Sequence, residues 1–281
     1  MRVKEFIVPR SIEEAVEIMH SNPKRGAYVA GGTDLLLEDR DLDFVIDLKA
    51  LDLNYIRQEG DEIRFGATAT LSDLERSELA HELADGILYQ CAVNFASIQI
   101  RNMATIGGNI ANAVPSADIP VPFLALGAQV RIRGKEERIL SLKRFFTGVR
   151  ETVLGSDLLE EIIVPVPAPE AQGQYLKIAR TPGDIAIINV ATLLEAEQGL
   201  CKRVRIALGA VAPTPLRAEA AERFLEGKPL TAENIQQASE LTAEAVQPIT
   251  DHRASADYRR KMSETLTRRA LTQSIARERG G

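Results

Sequence analysis

The sequence predicts a mixed α/β and α+β protein in two parts, and three observations carry that prediction. The first 60 residues alternate short strand and helix patterns around a glycine pair. A proline-dense stretch, Pro165-Val166-Pro167-Ala168-Pro169-Glu170, disfavours both helix and central strand and reads as a link between domains. Beyond it, three strand patterns precede three helical ones, the order of an α+β domain.

Ser11-Ile12-Glu13-Glu14 has the S-x-x-E form of a capping box and opens a helix to about Met19, with Ala15, Ile18 and Met19 as its apolar stripe. Residues 27–30 read as a short buried strand running into Gly31-Gly32-Thr33-Asp34. Residues 35–38 read as a short helix, 39–43 as a solvated connection and 44–48 as a second strand, which together suggest a small βαβ unit. Residues 62–66 alternate like a half-buried strand, residues 72–75 offer a second capping box, and residues 81–95 read as a helix with apolar Leu83, Ile87, Leu88, Cys91 and Ala92. Residues 99–126 are rich in Gly, Asn, Ala, Ser and Pro yet almost uncharged, which suggests backbone covered by something other than water. Strand patterns return at 129–133 and 158–164.

After the linker, strands are expected at 174–179, 186–195 and 202–210, then helices at 218–225, 232–246 and 256–278. Thr231 is placed to cap the second of these helices. The terminal Arg279-Gly280-Gly281 reads as a frayed tail. No internal repeat or low-complexity tract is visible.

Composition excludes several chemistries. Cys91 and Cys201 are too few for a disulfide framework or an iron–sulfur cluster, and suit small buried hydrophobes instead. His20, His81 and His252 are scattered singly, so no structural zinc site is expected. A pI near 5.3 argues against a nucleic-acid partner. No window approaches the about 18 apolar residues of a membrane span, and the N-terminus lacks the apolar region of a secretory signal. The expectation is a soluble, cytoplasmic protein whose hard chemistry, if any, is borrowed from something it binds.

Two glycine pairs are the candidate binding elements. Ala30-Gly31-Gly32-Thr33-Asp34 joins a buried strand to a helix, where free N–H groups suit an anion such as a pyrophosphate. The same residues also suit a tight turn with Asp34 as a helix cap. The stretch is neither a P-loop nor the G-x-G-x-x-G fingerprint. Thr105-Ile106-Gly107-Gly108-Asn109 is the second pair, with Asn109 able to donate and accept toward a nucleotide. Asp118 follows in a proline-braced, uncharged segment and wants a donor, either a ligand group or a local backbone N–H. Together the two turns suggest two phosphate-facing nests of backbone N–H groups, as an extended dinucleotide would need.

AGGTDLLL at 30–37 and TIGGNIANAVPSADIPVPFLAL at 105–126 resemble the flavin-binding medium subunits of the molybdenum hydroxylases, a family that includes carbon monoxide dehydrogenase medium chains and the flavin domain of xanthine dehydrogenase. The resemblance extends over nearly the whole chain. It implies a PCMH-type FAD-binding domain at 1–165, made of two α/β subdomains at about 1–56 and 57–165. A C-terminal domain of the carbon monoxide dehydrogenase flavoprotein type would follow at 172–281, with a three-stranded antiparallel sheet plus helices. FAD is the implied cofactor, held by Ala30, Gly31, Gly32, Thr33 and Asp34 and by Thr105, Ile106, Gly107, Gly108 and Asn109. Asp118 matches the family's flavin-contacting aspartate, Phe95 an aromatic contact, and Leu159 and Lys177 two later contacts. By residue type alone, Phe95 and Leu159 equally suit a core and Lys177 a solvated surface. Residues 180–184 would form a loop at the exposed flavin edge.

The resemblance implies no catalytic acid, base or nucleophile and no metal on this chain. The implied partners are a molybdopterin-binding large subunit and a small subunit with two 2Fe-2S clusters. NAD+, a quinone or another carrier would accept electrons. Two other readings stay open on the residues: a stand-alone flavin-dependent oxidoreductase, and a scaffold subunit that has lost the flavin.

Overall fold

The computed structural model describes residues 1–23, 25–181 and 183–278, with residues 277 and 278 described by their backbone alone. The expected tail at 279–281 lies outside the described residues, as does Pro182 of the expected loop at 180–184.

The N-terminal layer is a parallel sheet of order β1-β3-β2, built from β1 (Arg2–Ile7), β2 (Gly26–Val29) and β3 (Asp41–Asp47). Helix α1 (Ile12–Ser21) crosses between β1 and β2, and a 3-10 turn at Leu35–Leu37 lies between β2 and β3. Ser11 caps α1, its hydroxyl accepting from Glu14 N at 3.1 Å. The Glu14 carboxylate reaches past Ser11 to accept from Arg10 N at 2.6 Å. The α1 stripe Ala15, Val16 and Met19 packs on Phe44 and Ile46 of β3. Strand β3 begins at Asp41, so part of the connection expected at 39–43 is strand.

A second sheet, antiparallel in order β4-β5-β10-β6-β7, combines β4 (Ile56–Glu59) and β5 (Glu62–Gly66) with β6 (Gln129–Arg133), β7 (Glu137–Ser141) and β10 (Leu158–Pro165). A small hairpin of β8 (Phe146–Gly148) and β9 (Glu151–Thr152) precedes β10. Between β5 and β6 run six short helices: α2 (Leu71–Arg76), α3 (Glu78–Glu82), α4 (Ile87–Val93), α5 (Ile98–Arg101), α6 (Ile106–Asn112) and α7 (Pro120–Leu126). The capping box is Thr70/Asp73, not Ser72/Glu75: Thr70 and Asp73 exchange backbone bonds of 2.9 and 3.0 Å, while Ser72 is buried within α2. The helix expected at 81–95 is broken, because Ala84, Asp85 and Gly86 all take left-handed φ between α3 and α4.

The uncharged stretch 99–126 holds α6 and α7. Every residue of α7 is buried, which is why no 3.6-residue alternation marks it in the sequence.

The C-terminal sheet, order β11-β12-β13-β14, is antiparallel: β11 (Gln172–Ile178), β12 (Ile188–Glu197), β13 (Leu200–Gly209) and the two-residue β14 (Leu216–Arg217). It thus has one short strand more than expected. Helices α8 (Glu219–Leu225), α9 (Ala232–Ala245) and α10 (Ala256–Glu278) follow, with Thr231 capping α9. Ile188, Val190, Val204 and Ile206 face these helices, while Tyr175, Ala191, Leu193 and Ala207 join the large core of the preceding part. The sheet is therefore buried on both faces. Arg205 of β13 donates to Leu126 O at 2.8 Å, closing the C-terminal end of α7.

Candidate functional site

A cavity of about 560 Å3 opens between the N-terminal sheet, α6 and the start of β10, within the about 300–1,000 Å3 of small-molecule sites. The glycine turn after β2 forms one wall. A side chain at Gly31 would put its Cβ 2.0 Å from Met103 O, so glycine lets this turn press against the segment leading into α6. Gly32 takes φ +69°, a left-handed conformation that glycine adopts without strain. Among the described residues, the N–H groups of Gly31, Gly32, Thr33 and Asp34 have no protein acceptor. Asp34 makes no side-chain cap bond to the following 3-10 turn, so the cap role is not used.

The second turn is built differently. Thr105 caps α6, its hydroxyl accepting from Gly108 N at 3.1 Å. Ile106 N donates to Ala69 O at 2.9 Å, Gly107 N to Ala67 O at 3.0 Å and Asn109 N to Thr105 O at 3.0 Å. All four N–H groups are consumed within the protein, which corrects the expectation of a second phosphate-facing nest. The two glycines serve space instead. A Cβ on Gly107 would collide with Ala67 (Cβ 2.5 Å away), so α6 packs directly on the chain after β5. Gly108 is exposed, lines the cavity and has only Thr105 Oγ1 near its would-be Cβ. Asn109 also lines the cavity, and among the described residues its buried Oδ1 has no hydrogen-bond partner. A buried acceptor left unpaired costs about 1–3 kcal/mol, so a donor from outside the chain would be favoured there.

The cavity gathers Ala30, Gly31, Gly32, Thr33, Asp34, Thr105, Gly107, Gly108, Asn109 and Leu159. Four residues singled out in the sequence lie outside its lining. Ile106 is fully buried in the main core, and Phe95 is a half-buried side chain packed against that core. Asp118 and Lys177 pair with each other at 2.6 Å. The same carboxylate accepts from Tyr175 OH at 2.7 Å and Asn189 Nδ2 at 2.8 Å. Lys177 also donates to Asn94 O at 3.2 Å. A carboxylate accepts at about four sites and an ammonium donates three protons, so among the described residues each group keeps one position unfilled. Burial, reinforced by the Asp118 charge, pushes the Tyr175 phenol and the nearby Cys91 thiol well above their ordinary ranges.

Sequence reading missed Tyr28, Glu38, Arg40, Asn112, Arg150 and Asp157, which also line the cavity. They come from five separate segments, and no spacing rule connects them. Glu38 bridges Arg40 at 3.2 Å and Arg150 at 3.0 Å, and Asp157 bridges His20 at 2.9 Å and Arg138 at 2.6 Å.

Residues 2–167 match the family described as the FAD binding domain in molybdopterin dehydrogenase, and residues 173–274 match the CO dehydrogenase flavoprotein C-terminal domain. The chain is 32% identical over 280 residues to the carbon monoxide dehydrogenase medium chain of Hydrogenophaga pseudoflava, covering 97% of each. It is 29% identical to the putative xanthine dehydrogenase FAD-binding subunit XdhB of Escherichia coli K12, covering 95% of this chain and 94% of that one. Among solved structures, a Cu,Mo-CO dehydrogenase in its cyanide-inactivated form superposes with a TM-score of 0.94 at 32% identity over 98% of each chain. Quinoline 2-oxidoreductase from Pseudomonas putida 86 superposes with a TM-score of 0.90 at 27% identity, over 98% of this chain and 97% of that one.

Proposed function

The chain belongs to the family of FAD-binding subunits of molybdopterin dehydrogenases, and from that premise we propose that it is the flavin-carrying, electron-transferring medium subunit of a molybdenum-containing dehydrogenase or hydroxylase. It would stand between 2Fe-2S clusters on a small subunit and an acceptor such as NAD+ or a quinone, with the molybdopterin on a large subunit. The relatives named above, a carbon monoxide dehydrogenase medium chain and a xanthine dehydrogenase FAD-binding subunit, support that assembly. No described helix is long and apolar enough to cross a membrane, and a cytoplasmic location is part of the same proposal. The domain assignment is 1–165 for flavin binding, with subdomains at about 1–56 and 57–165, and 172–281 for the C-terminal domain. The separation of the three larger sheets supports it.

The observation that carries the flavin reading is the first turn: four consecutive N–H groups without acceptors among the described residues, in the lining of a cavity that also holds the Asn109 oxygen, likewise unpartnered among them. These residues fit a dinucleotide. Free N–H groups from Gly31 to Asp34 would hold the diphosphate, and Asn109 Oδ1 would accept from a hydroxyl or ring N–H. Gly108 leaves room for close approach, and Leu159 offers an apolar wall. Bound FAD supplies the electron storage that amino-acid side chains lack.

Phe95, Ile106, Asp118 and Lys177 complete the proposed set. The first two would stiffen the wall from behind. The paired Asp118 and Lys177 would each present their one unfilled position to the flavin. Asp118 in this role is a fixed acceptor, because three donors already hold its carboxylate.

The test is an absorption spectrum of the purified chain before and after adding FAD and desalting. About one FAD per chain is expected. Failure to retain or bind flavin, alone or co-expressed with its neighbouring subunits, would reject the assignment in favour of a flavin-free scaffold.

A further inference from the structure

The cavity holds a cation that none of the sequence patterns selects. Arg150 sits at the β8–β9 turn with φ +58°, a left-handed conformation that glycine or asparagine adopts more cheaply. Its backbone N–H donates to Ala113 O at 3.0 Å, fastening the turn to the C-terminal end of α6. Its Nη1 donates to Asn112 Oδ1 at 3.1 Å and to Glu38 Oε1 at 3.0 Å. Asn112, Glu38 and Arg150 all line the cavity, so the guanidinium spans its mouth from α6 to the turn after β2. Among the described residues, Nε and Nη2 of Arg150 have no protein acceptor.

The Arg150–Glu38 pair is half-exposed on the arginine side, at 52% and 28%. Such pairs are weak, and they exchange readily for a better acceptor. A phosphate is that acceptor: it carries more charge than a carboxylate and matches the guanidinium fork with two parallel bonds. A second cation of the lining, Arg40, is also held by Glu38. Among the described residues, one glutamate therefore occupies both lining cations that an incoming diphosphate would meet.

We propose that Arg150 is the diphosphate counter-ion of this cavity and that Glu38 holds it across the mouth until the nucleotide enters. The proposal rests on the dinucleotide reading above and adds a specificity element to it. Its backbone strain is then understandable, because a glycine at that turn would remove the charge.

The experiment titrates the full chain with FAD, and separately with ADP, at two salt concentrations. Arg150→Met is expected to weaken both about ten- to a hundredfold, to reduce the salt dependence of binding, and to leave the unliganded melting temperature unchanged. Arg150→Lys, which keeps the charge and loses the fork, should fall between. Glu38→Gln should tighten both ligands by freeing the guanidinium. Unchanged affinity in Arg150→Met overturns the proposal, as does a loss that tracks a lowered melting temperature. Should Arg150→Met fail to fold, Glu38→Gln decides, and no tightening overturns it. Wild type binding ADP but not FAD would refute the flavin reading while leaving Arg150 to be judged on ADP. Wild type binding neither would refute both.

Discussion

Replacing Lys177 by methionine tests whether the buried Asp118 cluster joins the two parts of the chain. Asp118 lies just before α7, whereas Lys177, Tyr175 and Asn189 come from the C-terminal strands β11 and β12. The Lys177 and Asp118 side chains are 7% and 6% exposed, so neither can turn to water. Methionine fills similar space but leaves the carboxylate with only two neutral donors. Breaking one side of a buried pair costs about 3–5 kcal/mol. Tyr175→Phe, which removes one hydrogen bond to a charge, should cost about 1.5–3 kcal/mol. Adding Asp118→Asn to Lys177→Met removes the stranded charge, so the double variant should be more stable than the sum of the single losses predicts. Urea unfolding of the flavin-free chain, followed by far-ultraviolet circular dichroism, measures each. The melting temperature of Lys177→Met should fall by roughly 10 °C, at about 2–4 °C per kcal/mol for large domains. A loss below about 1 kcal/mol, or strict additivity in the double variant, would show that the cluster is no more than an exposed ion pair.

Three further outcomes are expected. Gly108→Ala should lose FAD while costing no more than about 1 kcal/mol, the value of the Thr105 cap it crowds, whereas Gly31→Ala, driven into Met103 O, should destabilise the chain by about 1–3 kcal/mol. Flavin titration and urea unfolding of the two variants separate the effects. Both thiols should resist a thiol reagent at neutral pH until the chain unfolds, since burial first, then neighbouring carboxylates, pushes Cys201 up to about 12 and Cys91 well above its usual range. At acid pH, Asp251 should contribute to the loss of stability. Burial raises its pKa, but the N–H groups of Arg253 and Ala254 and the Arg259 guanidinium outweigh that and hold it at about 2. The folded value lies below the unfolded one, so its stabilisation is full above about pH 4 and disappears as pH falls toward 2. A pH titration of stability in Asp251→Asn should show a shallower fall in that window.

Local signals were legible where a residue acts on its near neighbours. Ser11 caps α1 and Thr231 caps α9 as their spacing indicates, because capping is decided within four residues. The strands at 62–66 and 129–133 alternate in sequence as they do in the sheet, one face being buried and the other wet. The second capping box lies two residues before the one the S-x-x-E spacing indicates, because Thr70-Leu71-Ser72-Asp73 offers two hydroxyls, and the burial of Ser72 against Asn102, 2.6 Å away, selects Thr70 as the cap. The helix expected at 81–95 breaks at three left-handed residues that no periodicity announces.

The family, the two-part order and the two glycine turns can be read along the chain, since each is a contiguous pattern whose chemistry is local. What the turns do depends on how distant segments pack. The first has N–H groups free among the described residues, because β2 ends there and the chain leaves the sheet. In the second, Ala67 and Ala69 bring their carbonyls against the start of α6 and Thr105 takes the next two N–H groups. Asp118 likewise looked like a lone carboxylate in an uncharged segment. Its partners stand at least 57 residues away along the chain and reach it only because β12 packs against α7 and carries β11 beside it. Partner choice over such separations is fixed by which faces bury together, and burial is a property of the assembled layers.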